Sequence, residues 1–352
     1  MTHEEPERLT LANIENWAPP DRGIRSANAE EIRRGLTADV YFVGSLEVLD
    51  KIGRRETVVT AEIFANHGGL LAGVEEALSL LKPLPVAVWA LPEGYSVEEH
   101  QVVMRIEGPY GAFGLFETAL LGILASSSGW ATATRDVVEA AGGAPVISFG
   151  ARHVHPAVAS VMDRAALVGG AAGASSILGA RQAGLSPAGT MPHALMLIAG
   201  DTVSVASVFD ELMPAAVPRT VLVDTFRDEA EEAIRVARAL GPRLEAIRLD
   251  TPRERGGVGP GLVREIAERL RQAGFPDVGI FVSGGLNPER IRKLREAGAT
   301  GFGVGSYIAA APPLDMTMDV KEIEGAPVAK RGRIPGITPA PDLRERQSVP
   351  GA

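Results

Sequence analysis

From Ala144 to about Ala311, short apolar runs alternate with amphipathic stretches, and this rhythm constrains the chain more than any other feature. The apolar runs are Pro145–Phe149, Thr220–Val223, Glu245–Leu249, Val278–Val282 and Gly301–Val304. Between them lie Arg227–Leu240, Gly261–Ala273 and Pro288–Ala297, whose apolar residues recur at helical spacing. Repeated strand-then-helix means parallel βαβ units, because parallel strands need a crossover long enough to hold a helix. The segment is shorter than the ~250 residues of a complete eight-unit barrel, so the pattern predicts an irregular, incomplete α/β barrel. Asn287-Pro288 supplies an N-cap and a proline at the first helical position, and Gly298 ends that helix.

The flanking chain lacks this rhythm. Residues 1–143 read as a mixed α+β domain. Thr57–Phe64 is rich in β-branched residues and predicts a strand, and Leu70–Leu81 has helical spacing. Val86–Trp89 is a short extended piece bracketed by prolines. Phe113–Ser127 and Thr132–Ala141 predict two helices, and Asp39-Val40-Tyr41-Phe42 reads as a strand with aromatics. The barrel domain occupies residues 144–312. In residues 313–352, Asp315–Gly332 predicts strand and turn returning to the N-terminal domain, and the proline-bearing tail from Pro335 predicts irregular chain.

Composition narrows the function classes. The net charge of −9 argues against a general nucleic-acid binder. The absence of cysteine excludes disulfides, thiolate nucleophiles and Cys-ligated zinc. Met1–Thr10 carries Glu4, Glu5 and Glu7 and has no apolar core, unlike a signal peptide. The uncharged stretch Ala165–Ala180 is too short and too rich in Ala and Gly to span a bilayer. The expected location is cytoplasmic.

In α/β barrels the chemistry gathers where strands end and helices begin. Ser283-Gly284-Gly285 follows one strand and opens a helix, and Gly303-Val304-Gly305-Ser306 ends the next. Either could be a tight glycine turn. At consecutive strand ends they form a phosphate cradle of backbone N–H groups. Asp224 and Asp250 each stand just past an apolar strand; each could cap the next helix, or the two could serve ribose hydroxyls, Mg²⁺ and a cationic sugar carbon. Phe149-Gly150-Ala151-Arg152-His153-Val154-His155-Pro156 places Arg152, a bidentate anion ligand, at the mouth of the first barrel strand, with two of the six histidines beside it. Gly189-Thr190-Met191-Pro192-His193 leads into an apolar helix, with Pro192 in its first turn. The small-residue run Gly169–Ser176 either admits a ligand closely, with Ser175 and Ser176 as donors, or packs helices.

In chain order these segments resemble the nicotinate phosphoribosyltransferase family over roughly Leu36–Gly336. The residues that carry the resemblance are Phe149-Gly-Ala-Arg152-His153, Gly189-Thr190-Met-Pro-His193, Leu222-Val-Asp224-Thr225, Arg248-Leu-Asp250-Thr251, Ser283-Gly284-Gly285, Gly303-Val-Gly305-Ser306 and Lys330-Arg-Gly-Arg-Ile-Pro-Gly336. His153 replaces the family's second Arg, and Pro192 replaces its Ala.

The resemblance implies a type II phosphoribosyltransferase acting as a head-to-tail homodimer with shared active sites. Such an enzyme joins nicotinate to phosphoribosyl pyrophosphate with Mg²⁺, making nicotinate mononucleotide for NAD salvage. It further implies roles for single residues. Asp224 and Asp250 would act on the ribose and the Mg²⁺-pyrophosphate. His193 would be phosphorylated when ATP is coupled to the reaction. Asp39, Tyr41, Arg152, His153, Ser175, Ser176, Thr190 and Arg248 would bind substrate, and Ser283, Gly284, Gly285, Gly303, Gly305 and Ser306 would bind phosphate. Quinolinate and nicotinamide are the alternative acceptors, and a non-catalytic nucleotide sensor is the alternative of another class.

Overall fold

The computed structural model describes residues 8–17, 23 and 25–349. The chain divides into two compact units, Met1–Gly129 together with Pro312–Ala352, and Trp130–Ala311.

The first unit is built on a six-stranded antiparallel sheet. Its order is Ala326–Pro327, Met316–Ile323, Val58–Ala65, Val102–Pro109, Ala87–Ala90 and Arg344–Gln347. The predicted Thr57–Phe64 strand becomes the central Val58–Ala65, buried on both faces. The C-terminal segment returns to pair with it, Ile63 opposite Met318.

The tail differs from expectation, since Arg344–Gln347 is a strand paired with Ala87–Ala90. A sheet edge presents unpaired N–H and C=O groups, and the tail satisfies them. Gln347 also donates to the carbonyls of Leu81, Leu84 and Val86. Upstream, the Thr338 N–H and the Arg105 guanidinium both bond to the buried Glu62 carboxylate.

Three further local expectations are revised. Leu70–Leu81 splits into a two-residue strand, Gly69–Leu70, and the helix Val74–Leu81. The Asp39–Phe42 segment is not a strand: Asp39 is the N-cap position of a helix, Val40–Lys51, and Phe42, Val43 and Leu46 are buried at helical spacing. The Asp39 N–H donates to Thr118 Oγ1, whose hydroxyl donates back to Asp39 Oδ2, fixing the helix start. The two helices predicted within Phe113–Ala141 are one, Glu117–Ala141. Tyr110–Ala141 is helical, long and apolar enough to cross a membrane by length and composition alone. Leu120 and Leu124 enter one hydrophobic core, and Val137, Ala140 and Ala141 another.

The second unit is a six-stranded, all-parallel sheet in the order Gly173–Ala174, Val146–Ser148, Gly301–Val304, Gly279–Ser283, Ala246–Leu249 and Thr220–Leu222. All five predicted strands are present, and the small-residue run supplies a sixth. The first strand in sequence pairs with the last, Ser148 opposite Val304. The sheet therefore curls as a barrel does, and opens only between Gly173–Ala174 and Thr220–Leu222. Covering helices bury one stripe each: Ala230, Ala233, Val236, Ala237 and Leu240; then Val263, Ile266 and Leu270; then Ile291 and Leu294. Each large aliphatic side chain buried this way contributes roughly 1.5–3 kcal/mol over leaving it in water. Asn287 caps the third of these helices, accepting from the Arg290 N–H at 2.9 Å.

Candidate active site

Because the six strands are parallel, their carboxyl ends share one rim. Arg248, the penultimate residue of its strand, organises that rim. Its Nε donates to Ser283 Oγ at 2.9 Å, Nη1 to Thr190 Oγ1 at 2.6 Å and Nη2 to Asp250 Oδ2 at 2.8 Å. One planar fork thus ties three separate segments together. The Phe149 ring lies under the guanidinium, 5.4 Å from centroid to Cζ. Gly303 makes this stack fit, since a Cβ there would collide with the Phe149 ring.

Asp224 and Asp250 are neighbours on this rim, and neither caps a helix; Asp228 caps the helix after Asp224. Asp224 Oδ2 accepts the Asp250 N–H at 2.6 Å. Its Oδ1 is buried without a hydrogen bond, and the nearest cationic candidate is His193 Nε2 at 3.8 Å. Burial raises the Asp224 carboxyl above the ordinary carboxylate range, against the opposing pull of the Asp250 N–H and of His193. His193 begins the helix His193–Ala199, with Pro192 at the cap rather than within the first turn. Its Nδ1 lies 3.1 Å from Thr225 Oγ1, which leaves Nε2 directed at Asp224. Behind the pair, the buried Glu229 accepts from Thr251 Oγ1 at 3.0 Å and pairs with Arg255.

The glycine loops stand on the same rim. Gly284 and Gly285 are exposed at φ +93° and +59°, a conformation that side chains disfavour. Arg290 donates to the Gly284 carbonyl at 3.1 Å and to the Val258 carbonyl, and Arg253 Nη2 lies beside Gly285. Ser283 is buried, and its hydroxyl is engaged by Arg248 and the Leu249 carbonyl. The His153 ring packs against Gly305, joining the first and last strand ends, and Ser306 is exposed at the start of a short helix. Arg152 is exposed with no ion pair among the described residues. His155 caps the following helix. The Ser175 N–H bonds to the Ser148 carbonyl, and the Ser176 hydroxyl bonds to the buried Asp163 and caps Ile177–Gln182.

Arg253, Arg290 and Asp163 were not singled out from the sequence. Arg253 follows Asp250 by three residues, and Arg290 follows the N-cap Asn287 by three; that spacing was their only signal.

Asp39 and Tyr41 belong to the N-terminal unit. Both are exposed there, and partial desolvation, then the charges of Asp39 and Glu117, raise the Tyr41 hydroxyl. A cavity of about 730 Å³ opens in the same unit beside Tyr110, Asp319 and Lys330. Burial, then the Asp319 carboxylate, push Glu117 from 4.5 up to about 7, against the pull of Lys330. The folded chain therefore keeps a proton that the unfolded chain releases, and this contribution to stability is lost as pH rises from ~4.5 to ~7. Glu117→Gln, which cannot ionise, is expected to raise Tm over the parent at about pH 8 and to leave it unchanged at about pH 4.5. Thermal unfolding at both pH values checks this; an equal offset at the two would refute it.

Two carboxylates, one with a free buried oxygen, suit a Mg²⁺ ion that takes its other ligands from phosphates and water. No cluster of three or more His, Cys, Asp or Glu that could hold a metal occurs among the described residues, so substrate phosphates would have to complete the coordination.

The chain matches the quinolinate phosphoribosyl transferase C-terminal domain over residues 130–319 and the N-terminal domain of that family over residues 39–128. It is 34% identical to the nicotinate phosphoribosyltransferase pncB2 of Mycobacterium tuberculosis over 68% of this chain and 52% of the relative. It therefore spans about half the length of that relative. To pncB1 of the same organism it is 32% identical, over 84% of this chain and 74% of the relative. Among solved structures, the nicotinate-nucleotide pyrophosphorylase of Pyrococcus furiosus superposes with a TM-score of 0.85 at 44% identity, covering 89% of this chain and 82% of that one.

Proposed function

The chain belongs to the quinolinate phosphoribosyl transferase family, and from that footing we propose that it is a nicotinate phosphoribosyltransferase, making nicotinate mononucleotide and pyrophosphate from nicotinate and phosphoribosyl pyrophosphate. The observation that carries the reading is the rim on which Arg248 holds Asp250 between Asp224 and the Gly284–Gly285 loop. The nicotinate phosphoribosyltransferase relatives at 32–34% identity support nicotinate as the acceptor.

The reaction is a displacement at the anomeric carbon. The pyridine nitrogen attacks while pyrophosphate departs. Nicotinate nitrogen carries no proton at neutral pH, so no general base is required, and the rim holds carboxylates, guanidinia and backbone N–H groups rather than a catalytic triad. Charge on the sugar carbon becomes positive in the transition state, where the carboxylates of Asp224 and Asp250 stabilise it. Gly284, Gly285, Arg253 and Ser306 would receive the phosphates, and Arg152 the nicotinate carboxylate. Mg²⁺, when bound, supplies charge neutralisation on the leaving pyrophosphate.

His193, with Nε2 facing the free oxygen of Asp224, is the residue through which ATP would be coupled. The proposal includes a homodimer in which Asp39 and Tyr41 complete the partner's site, and a cytoplasmic location. A second reading, an enzyme that uses quinolinate and releases its second carboxylate as CO₂, is favoured by the family match and by the Pyrococcus furiosus structure at 44% identity.

A product assay tests these readings. The protein is incubated with phosphoribosyl pyrophosphate, Mg²⁺ and, separately, nicotinate, quinolinate or nicotinamide, each with and without ATP. Nicotinate is expected to yield mononucleotide, with ATP raising the yield and His193→Asn abolishing that increment. Product and CO₂ from quinolinate alone would overturn the nicotinate assignment, and an ATP effect that survives in His193→Asn would remove that residue from the coupling.

A further inference from the structure

Asp163 is fully buried on the helix Pro156–Val168, at 0% exposure, and plays no part in the chemistry described above. Its Oδ1 accepts from Ser148 Oγ at 2.7 Å; its Oδ2 accepts the Ser176 N–H at 3.3 Å and the Ser176 hydroxyl. Every one of these donors is neutral. No cationic side chain pairs with this carboxylate among the described residues. A buried carboxylate held only by neutral donors costs more than an apolar side chain of similar size. Stability alone gives no reason to place one here.

The donors say what the carboxylate does. Ser148 is the last residue of its strand and stands at the root of the Phe149–His155 loop that carries Arg152 and His153. Ser176 caps the next helix, on the loop that follows the neighbouring strand, where Ser148 pairs with Ala174. Asp163 itself sits on the helix into which the Arg152 loop runs. One carboxylate therefore fastens both ends of the Arg152 loop, and ties it to the adjoining Ser175-Ser176 loop. Among the described residues the Arg152 side chain has no ion pair, so its place on the rim depends on where this loop is held.

We infer that Asp163 is a positioning residue that sets the acceptor-binding Arg152 through Ser148 and Ser176, and so governs affinity for the pyridine carboxylate rather than for the phosphoribosyl donor. The inference rests on the transferase reading above.

Asp163→Asn keeps the size of the side chain and one carbonyl oxygen, but must turn its NH₂ toward one serine. Steady-state kinetics on the full chain would be measured for the parent, Asp163→Asn, Arg152→Ala and the double variant. Asp163→Asn is expected to raise the KM for nicotinate about 10-fold or more, with the KM for phosphoribosyl pyrophosphate changed by less than about 2-fold. In the Arg152→Ala background the same substitution should change the nicotinate KM by less than about 2-fold, because residues acting through one contact do not add. A merely structural Asp163 would weaken both substrates together and would add to Arg152→Ala; either result overturns the inference, as does an unchanged nicotinate KM. If Asp163→Asn fails to fold, Ser176→Ala passes through the same cycle with the same criteria. A parent protein that makes no product from nicotinate would sink the transferase reading and this inference with it, whereas an active parent with an additive cycle sinks the inference alone.

Discussion

Asp250→Asn is expected to lower kcat by about 10³-fold, some 4 kcal/mol of transition-state stabilisation, while leaving the chain folded. The substitution removes a charge and almost nothing else. The Asp250 N–H that Asp224 accepts is main chain and stays. The amide oxygen can still accept from Arg248 Nη2. The side chain is 27% exposed, so the neutral replacement is solvated easily. What disappears is negative charge facing a sugar carbon that turns positive as pyrophosphate leaves. Turnover in the assay described above, beside a urea unfolding curve for each protein, checks the claim. Parent-like turnover in Asp250→Asn would sink the assignment of this rim as the active site. A midpoint lowered in step with activity would mean that Asp250 is structural.

Arg248→Met is expected to cost about 10²–10³-fold in kcat/KM and, unlike Asp250→Asn, to destabilise the chain by about 3 kcal/mol or more. The side chain is 14% exposed, and its three bonded partners come from three different segments. With the fork gone, Thr190 and its Gly189–His193 loop lose their tie to the sheet, and Asp250 loses its ion pair with Arg248 while remaining beside Asp224. Methionine keeps the apolar stem over Phe149, so packing alone does not explain the loss. Arg248→Lys separates the two contributions. It restores the charge but cannot span three acceptors in one plane, so it should recover stability more fully than activity. Full recovery of kcat/KM in Arg248→Lys would refute the bridging role.

The strand–helix rhythm made the barrel legible because each strand and each helix declares its buried side in its own periodicity. Arg227–Leu240 shows an apolar stripe whatever it packs against, and Asn287-Pro288 makes a helix start whatever follows. The strand-end rule then carried Asp224, Asp250 and the glycine loops to one rim, since parallel strands all deliver their carboxyl ends to the same side. The Asp39–Phe42 segment was misread because four residues with two aromatics fit strand and helix equally; the choice is made by Leu46 further along and by Thr118, a partner distant in sequence. The Arg344–Gln347 strand was missed because nothing local marks it. Its hydrogen bonds are owed to the edge at Ala87–Ala90.

Local order and the identity of the chemical groups were therefore set by the sequence itself, because backbone propensity, capping and apolar spacing act over a few residues. The tertiary structure alone decided which groups are spent and which are free. It engages Ser283 and Ser176 internally, leaves Asp224 Oδ1 unbonded opposite His193, brings Arg253 and Arg290 to the glycine loop, and pairs the first barrel strand with the last. The physical reason is that a hydrogen bond depends on distance and angle between groups tens of residues apart, and only the packed core fixes those.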